Sequence, residues 1–221
     1  MPVVPNRADA HRAAELPRDL VTRGLEAARS AIETEAAAVS ALADRLDGVF
    51  LDVLIAVAAC EGHLVVTGLG KSGLVGRKIA ATLASTGTPA TFIHAGDALH
   101  GDSGAVTPRD LVLALSASGE TAEVCAFARM LAERDIPVIA MTGAEESTLA
   151  KLATHTLDTM VLREADPLNL APTASTTAAL VMGDALACAL VVLREFTHHD
   201  FARFHPSGAL GRKLLGLGED A

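Results

Sequence analysis

Two segments rich in glycine and hydroxyl side chains hold the residues best suited to chemistry. The first runs Thr67-Gly68-Leu69-Gly70-Lys71-Ser72-Gly73 and the second Ser116-Ala117-Ser118-Gly119-Glu120-Thr121. Glycine lets backbone amides come close to an anion, and a helix N-terminus supplies unpaired N–H donors. Lys71 adds a point charge to the first segment, with Gly70 and Ser72 beside it. Ser116, Ser118 and Thr121 surround Gly119 with hydroxyls in the second. Hydroxyls together with free amides suit a phosphate monoester, whose oxygens all accept hydrogen bonds. Capping a helix would need only one of those hydroxyls. Two such segments in one sheet are a more specific signal than either alone, and they point to a small phosphorylated ligand.

The first segment is not a Walker A loop, because Val65 stands where that motif has its first glycine. It does satisfy G-x-G-x-x-G through Gly68, Gly70 and Gly73, so a nicotinamide dinucleotide is an alternative. That fold needs an acid at the end of the second strand, and His94 is there instead. Asp97 follows three residues later, in an expected loop. Lys71 would also crowd the pyrophosphate, so the dinucleotide reading ranks behind a sugar phosphate.

The elements that must hold these segments follow from hydrophobic periodicity. Leu20 to Leu46 reads as one long amphipathic helix, and Val49 to Ala59 as a second after Asp47-Gly48. A strand–helix rhythm then begins. Strands are expected at His63–Thr67, Ala90–His94, Asp110–Leu115, Pro137–Thr142 and Thr156–Asp158. Helices are expected at Leu74–Ser85, Ala122–Glu133, Ser147–Ala153 and Ser175–Phe196. Alternation of this kind predicts an α/β fold: a parallel sheet in three layers, with helices on both faces. Ligands then sit beyond the carboxyl ends of the strands, where both segments fall. Residues 1–18 are expected to be a flexible N-terminal segment and 19–221 a single domain.

Composition narrows the function classes. The chain has 221 residues, half of them hydrophobic, with no Trp or Tyr and six Phe. Few aromatics and a net charge of −9 argue against nucleic acid as a partner. The same charge repels an anionic metabolite at long range, so any phosphate site must be built locally. Cys60, Cys125 and Cys188 are far apart in apolar patterns and read as buried small hydrophobes in a reducing compartment. The N-terminus lacks the apolar run of a signal peptide. Thr176–Leu193 is apolar, but Asp184 at its middle would cost on the order of 2.5–3.5 kcal/mol in a membrane. The expectation is a cytoplasmic protein with no membrane partner. The His-rich stretch His198-His199-Asp200 has no zinc-protease spacing, so no metal and no cofactor are expected.

Val65 to Gly73 and Ser116 to Thr121 resemble the sugar isomerase (SIS) domain family. Three more stretches sharpen the match: His100-Gly101-Asp102, Ala171-Pro172-Thr173 with Ser175-Thr176-Thr177, and His205-Pro206 through Gly208, Leu210, Gly211 and Arg212. They resemble members that interconvert D-arabinose 5-phosphate and D-ribulose 5-phosphate, a first step towards Kdo for lipopolysaccharide. The resemblance covers about Ala27 to Leu215 and implies an SIS-type, flavodoxin-like fold. It maps acid–base duties onto Lys71, Glu123, Glu164 and His205, with His100 nearby. Substrate or phosphate contacts fall on Gly70, Ser72, Ser116, Ser118, Gly119, Thr121 and Thr173. It also implies a homotetramer with sites near subunit interfaces, where His205 would reach a neighbour's site. Many members carry a pair of CBS domains after this region, and an enzyme without them is the expectation here. Ala117 replaces the usual Asn of the second segment, and Asp97 the usual Glu.

The residues alone leave other functions open. Acids in a first helical turn, such as Glu123, are common without a catalytic role. Glu164 falls in an irregular loop where a solvated acid would be ordinary. A non-catalytic sugar-phosphate sensor would keep the hydroxyl segment, and an SIS isomerase of another ketose phosphate would keep both segments.

Overall fold

The structure is a computed structural model that describes residues 16–206. The expected N-terminal segment and the tail from Ser207 onward lie essentially outside the described residues. Five strands form one parallel sheet in the order β2-β1-β3-β4-β5: β1 Leu64–Gly68, β2 Ala90–His94, β3 Leu111–Leu115, β4 Val138–Thr142 and β5 His155–Asp158. Chain order reverses between β1 and β3, which pair in register from Leu64 opposite Leu111 to Gly68 opposite Leu115.

Side chains alternate to the two faces of the sheet, and each face has its own core. Val66, Leu113, Leu115, Ile139 and Met141 face one side. There they meet α2 (Gly48–Ala59), α3 (Gly70–Ser85) and α7 (Ala174–Leu193). Val65, Val112, Ala114, Val138 and Ala140 face the other side, with Phe127 and Leu131 of α5 (Ala122–Ala132). Also on that side are the short helices α4 (Ala95–Ala98) and α6 (Thr148–Leu152). The outermost long helix, α1 (Arg18–Ser40), packs on α7 and buries none of its residues fully. α8 (His198–Phe204) follows α7 and opens on a capping box between Thr197 and Asp200.

α7 is long and apolar enough to span a membrane by length and composition. In the fold it is a core helix. Ala178, Met182, Leu186 and Leu190 are buried in the first core, and Gly183 lies so close to Ile79 that a Cβ there would overlap it. An ion pair between Asp184 and Lys78 of α3 explains the acid in the middle of the helix.

The expected elements are present, with informative differences. The first helix stops at Ser40, and a 3-10 turn over Ala43–Arg45 separates it from α2. α3 begins at Gly70 rather than Leu74, so Lys71 and Ser72 lie in its first turn and not in a loop. Packing requires the glycines there. A Cβ on Gly73 would sit 3.0 Å from the Gly68 carbonyl, and one on Gly76 would sit 3.1 Å from the Phe92 ring. Asp97 is in helix α4 rather than a loop, and neither α4 nor α8 was expected.

Candidate active site

Both glycine- and hydroxyl-rich segments lie at the carboxyl edge of the sheet, side by side on the adjacent strands β1 and β3. β1 ends at Gly68 and turns into α3 on one face. β3 ends at Leu115 and turns, through Ser116–Thr121, into α5 on the other face. The connections diverge at the point where strand order reverses, and this opens the crevice in which ligands of open α/β sheets bind. Gly70 takes φ +56°, a left-handed step that lets the chain leave β1 and enter α3 at once. Among the described residues no side chain caps α3, so the N–H donors of its first turn are open to the crevice beside Lys71. Lys71 is exposed and Ser72 half-buried.

The second segment is the more tightly constructed. Ser116 is 2% exposed, and its hydroxyl bonds to the Thr121 hydroxyl at 2.8 Å. Thr121 precedes α5, yet among the described residues neither its hydroxyl nor any other side chain caps that helix. Ser118 Oγ accepts from the Glu120 N–H at 3.2 Å, and Ser118 is exposed. Simple helix capping therefore does not account for the three hydroxyls. Gly119 closes the turn at φ +66°, its N–H donating to the Ser116 carbonyl at 3.0 Å. Glu123 is half-buried in the first turn of α5, within a few residues of the hydroxyls. The positive end of that helix favours an anion there, whether a substrate phosphate or the Glu123 carboxylate.

His100 lies on the same edge. β2 ends at His94, whose Nδ1 is 3.6 Å from the Asp97 carboxylate, and α4 then leads to an exposed His100. Lys71, Ser72, His100, Ser116, Ser118, Thr121 and Glu123 thus converge on one end of the sheet.

Glu164 and Thr173 have a different setting. Glu164 Oε2 accepts from the Thr173 N–H at 2.8 Å, the Thr173 hydroxyl at 3.1 Å and the Ser175 N–H at 3.1 Å. Its other oxygen takes the Ser175 hydroxyl. This carboxylate caps α7. Burial alone would raise its pKa, but the Ser175 and Thr173 donors outweigh burial and hold it below the usual carboxylate range. The loop around it is similarly braced: Asp166 accepts from the N–H groups of Leu168, Leu170 and Ala171. The sequence showed an irregular loop at this place, and only the fold reveals what its acids hold.

His205 is at the other end of the molecule. α7 runs alongside α3 in the same direction, as the Lys78–Asp184 pair and the seating of Phe196 against Gly87 show. The 20 residues of α7 carry the chain about 30 Å away from the carboxyl edge. α8 begins there, and the His205 ring stacks on Phe201 with Nδ1 2.9 Å from the Phe201 carbonyl. Within one chain, His205 does not meet Lys71 or Glu123. A separate cleft of about 460 Å³ opens at the amino edge, lined by Cys60, Arg109, Asp110, Pro137 and His155 among others. Its buried carboxylate, Asp110, is committed to the His63 N–H at 2.7 Å and to both donors of Thr107. The convergent hydroxyls, cation and helix N-termini are at the carboxyl edge, which is where the candidate site is assigned.

A 2-1-3-4-5 parallel sheet with helices on both faces and a serine- and threonine-lined turn at its switch point defines a doubly wound α/β fold of the flavodoxin type. More narrowly, this chain belongs to the SIS domain family, whose model matches residues 58–189. It is 58% identical over 156 residues to the arabinose 5-phosphate isomerase KdsD of Escherichia coli O6:H1, covering 71% of this chain and 48% of that protein. It is 52% identical over 196 residues to the KdsD of Pseudomonas aeruginosa, covering 89% of this chain and 60% of that one. The chain therefore spans about half to three-fifths of the length of these relatives. Among solved structures, E. coli CFT073 c3406 in complex with A5P matches with a TM-score of 0.79 and 40% identity. That match covers 84% of this chain and 98% of that one.

Proposed function

We propose that this chain is an aldose–ketose isomerase that interconverts D-arabinose 5-phosphate and D-ribulose 5-phosphate through an enediolate. What carries the reading is the crevice between α3 and α5, where the hydroxyl turn lies a few residues from Glu123 and across from Lys71. Support comes also from the KdsD relatives and from the likeness to a structure that holds A5P. The product would feed Kdo for lipopolysaccharide, in the cytoplasm, without a cofactor.

In this mechanism Ser116, Ser118 and Thr121, with the free amides of α5, hold the phosphate. Gly70 and Ser72 line the opposite wall. After the sugar ring opens, Glu123 takes the C2 proton and the electron pair moves onto the aldehyde oxygen, giving the enediolate. Return of the proton to C1, with transfer of a hydroxyl proton from O2 to O1, yields the ketose. Lys71 stabilises the charge that develops on these oxygens. His100 serves the oxygen-to-oxygen transfer. Glu164 and Thr173 contribute by fixing the N-terminus of α7 at the rim.

His205 acts in a neighbouring subunit's site in this reading. Its distance from Lys71 within one chain supports that placement. The expected assembly is a homotetramer. Supporting this, α1 leaves Leu20, Val21, Leu25 and Ile32 exposed, and Leu162, Leu168 and Leu170 stand out on the loop beside α7.

The test is incubation with ribulose 5-phosphate in D2O, followed by NMR. Arabinose 5-phosphate carrying deuterium at C2 is the expected product. Tight binding without exchange would instead make the chain a sugar-phosphate sensor.

A further inference from the structure

We propose that Glu120 is a positioning residue, a latch that fixes the Ser116–Thr121 turn against the start of α6 and so sets the geometry of phosphate binding. This rests on the reading of that turn as the phosphate cradle.

Electrostatics makes Glu120 an unexpected residue. A carboxylate next to Ser118, inside an anion-binding turn, repels a phosphate dianion. Its orientation resolves the conflict. Glu120 Oε1 accepts from the Thr148 N–H at 2.7 Å and Oε2 from the Thr148 hydroxyl at 2.8 Å. The charge is thus directed onto the first residue of α6, and these donors hold the carboxyl below its usual range.

The residues on either side of Thr148 grip the same turn. Leu149 N–H donates to the Gly119 carbonyl at 3.0 Å, and the Cys125 thiol donates to that oxygen at 3.3 Å. Ser147 fills the space where a Cβ on Gly119 would lie. Three consecutive residues, Ser147, Thr148 and Leu149, therefore brace the back of the turn, while Ser118 is exposed on it. Glu120 is the only side chain of the turn that reaches α6 by two hydrogen bonds, and it is solvent-exposed. It fills no space in the core, so its contribution is geometric.

The latch and simple charge repulsion predict opposite signs. Removing the acid as Glu120→Ala relieves repulsion, which alone would tighten phosphate binding. Loss of the latch loosens the hydroxyls and weakens it. Binding of inorganic phosphate and of D-arabinose 5-phosphate is measured by calorimetry for the wild type, Glu120→Ala, Thr148→Val, the double variant and Ser118→Ala. The expected result is affinity about tenfold lower in Glu120→Ala and about threefold lower in Thr148→Val, with the double variant no worse than the first. In isomerisation assays the loss should appear in KM, with kcat within about twofold. Thr148→Val keeps the charge and most of the packing, so it tests the latch even if Glu120→Ala folds poorly. Ser118→Ala weakened while Glu120→Ala and Thr148→Val bind as the wild type, or more tightly, overturns the latch alone. Ser118→Ala binding like the wild type overturns the cradle itself.

Discussion

Two helices begin at the carboxyl edge of this sheet beside carboxylate and hydroxyl side chains, and they use them in opposite ways. α7 is closed by its own chain: Glu164 accepts four hydrogen bonds from Thr173 and Ser175. α5 is left open. Thr121 at its start turns its hydroxyl to Ser116, and no side chain among the described residues caps the helix. An N-terminus attracts one anion well, because its few free donors and partial positive charge are local. Where the chain supplies that anion, the helix is anchored. Where the chain withholds it, a ligand can take the place. On the proposed function, the binding end of this fold is recognised by the cap that is missing.

The comparison can be broken at several points. The largest effect is expected at Glu123. Glu123→Gln should lower kcat for isomerisation by about 10²- to 10⁴-fold while calorimetric binding of arabinose 5-phosphate is kept. Full turnover would remove Glu123 from the chemistry. Next, Ser116→Ala should weaken binding of inorganic phosphate by about tenfold or more, since it removes a buried hydroxyl and orphans that of Thr121. The matching change at the closed helix, Thr173→Val, should leave that affinity within about twofold. If both variants lose binding equally, the two helix ends are not distinct.

Stability should respond the other way round. Glu164→Ala strands several donors of α7 and should cost roughly 1–2 kcal/mol in urea denaturation, as lost caps do. Ser118→Ala should change stability by less than about 0.5 kcal/mol. The acid limb offers the finest test. Glu164 has a depressed folded pKa, so its contribution is fully present above the ordinary carboxylate range, roughly pH 4 to 5. It is lost as pH falls through the lower folded value, because the unfolded chain then binds the extra proton more readily. Glu164→Gln should flatten that part of the stability–pH curve. An unchanged curve would mean that other carboxylates, Asp110 among them, carry the acid limb.

Much of this was legible in the residues. Strand periodicity located all five strands to within a residue or so, because buried parallel strands leave short apolar runs between turn signals. The hydroxyl turn and the glycine turn stood out through residue types that ordinary capping does not require. The start of α3 was misplaced because glycine signals a break locally, whereas the close approach of Gly73 to the Gly68 carbonyl is a packing demand that periodicity does not show. The brace of Glu120 on Thr148 was invisible because it joins residues 28 apart in sequence. Glu164 illustrates the same limit, since a loop acid and a helix cap read alike until the helix start and the loop are brought together.

By itself, the sequence determined the α/β class, the order of the main elements and the two turns rich in glycine and hydroxyl side chains. Those depend on local periodicity and on side-chain chemistry that each segment carries alone. The tertiary structure decided which helix ends stay open, which acid is tied down, and that His205 lies a helix length from Lys71. These depend on where strand order reverses and on contacts between distant segments, and no single stretch of sequence encodes either.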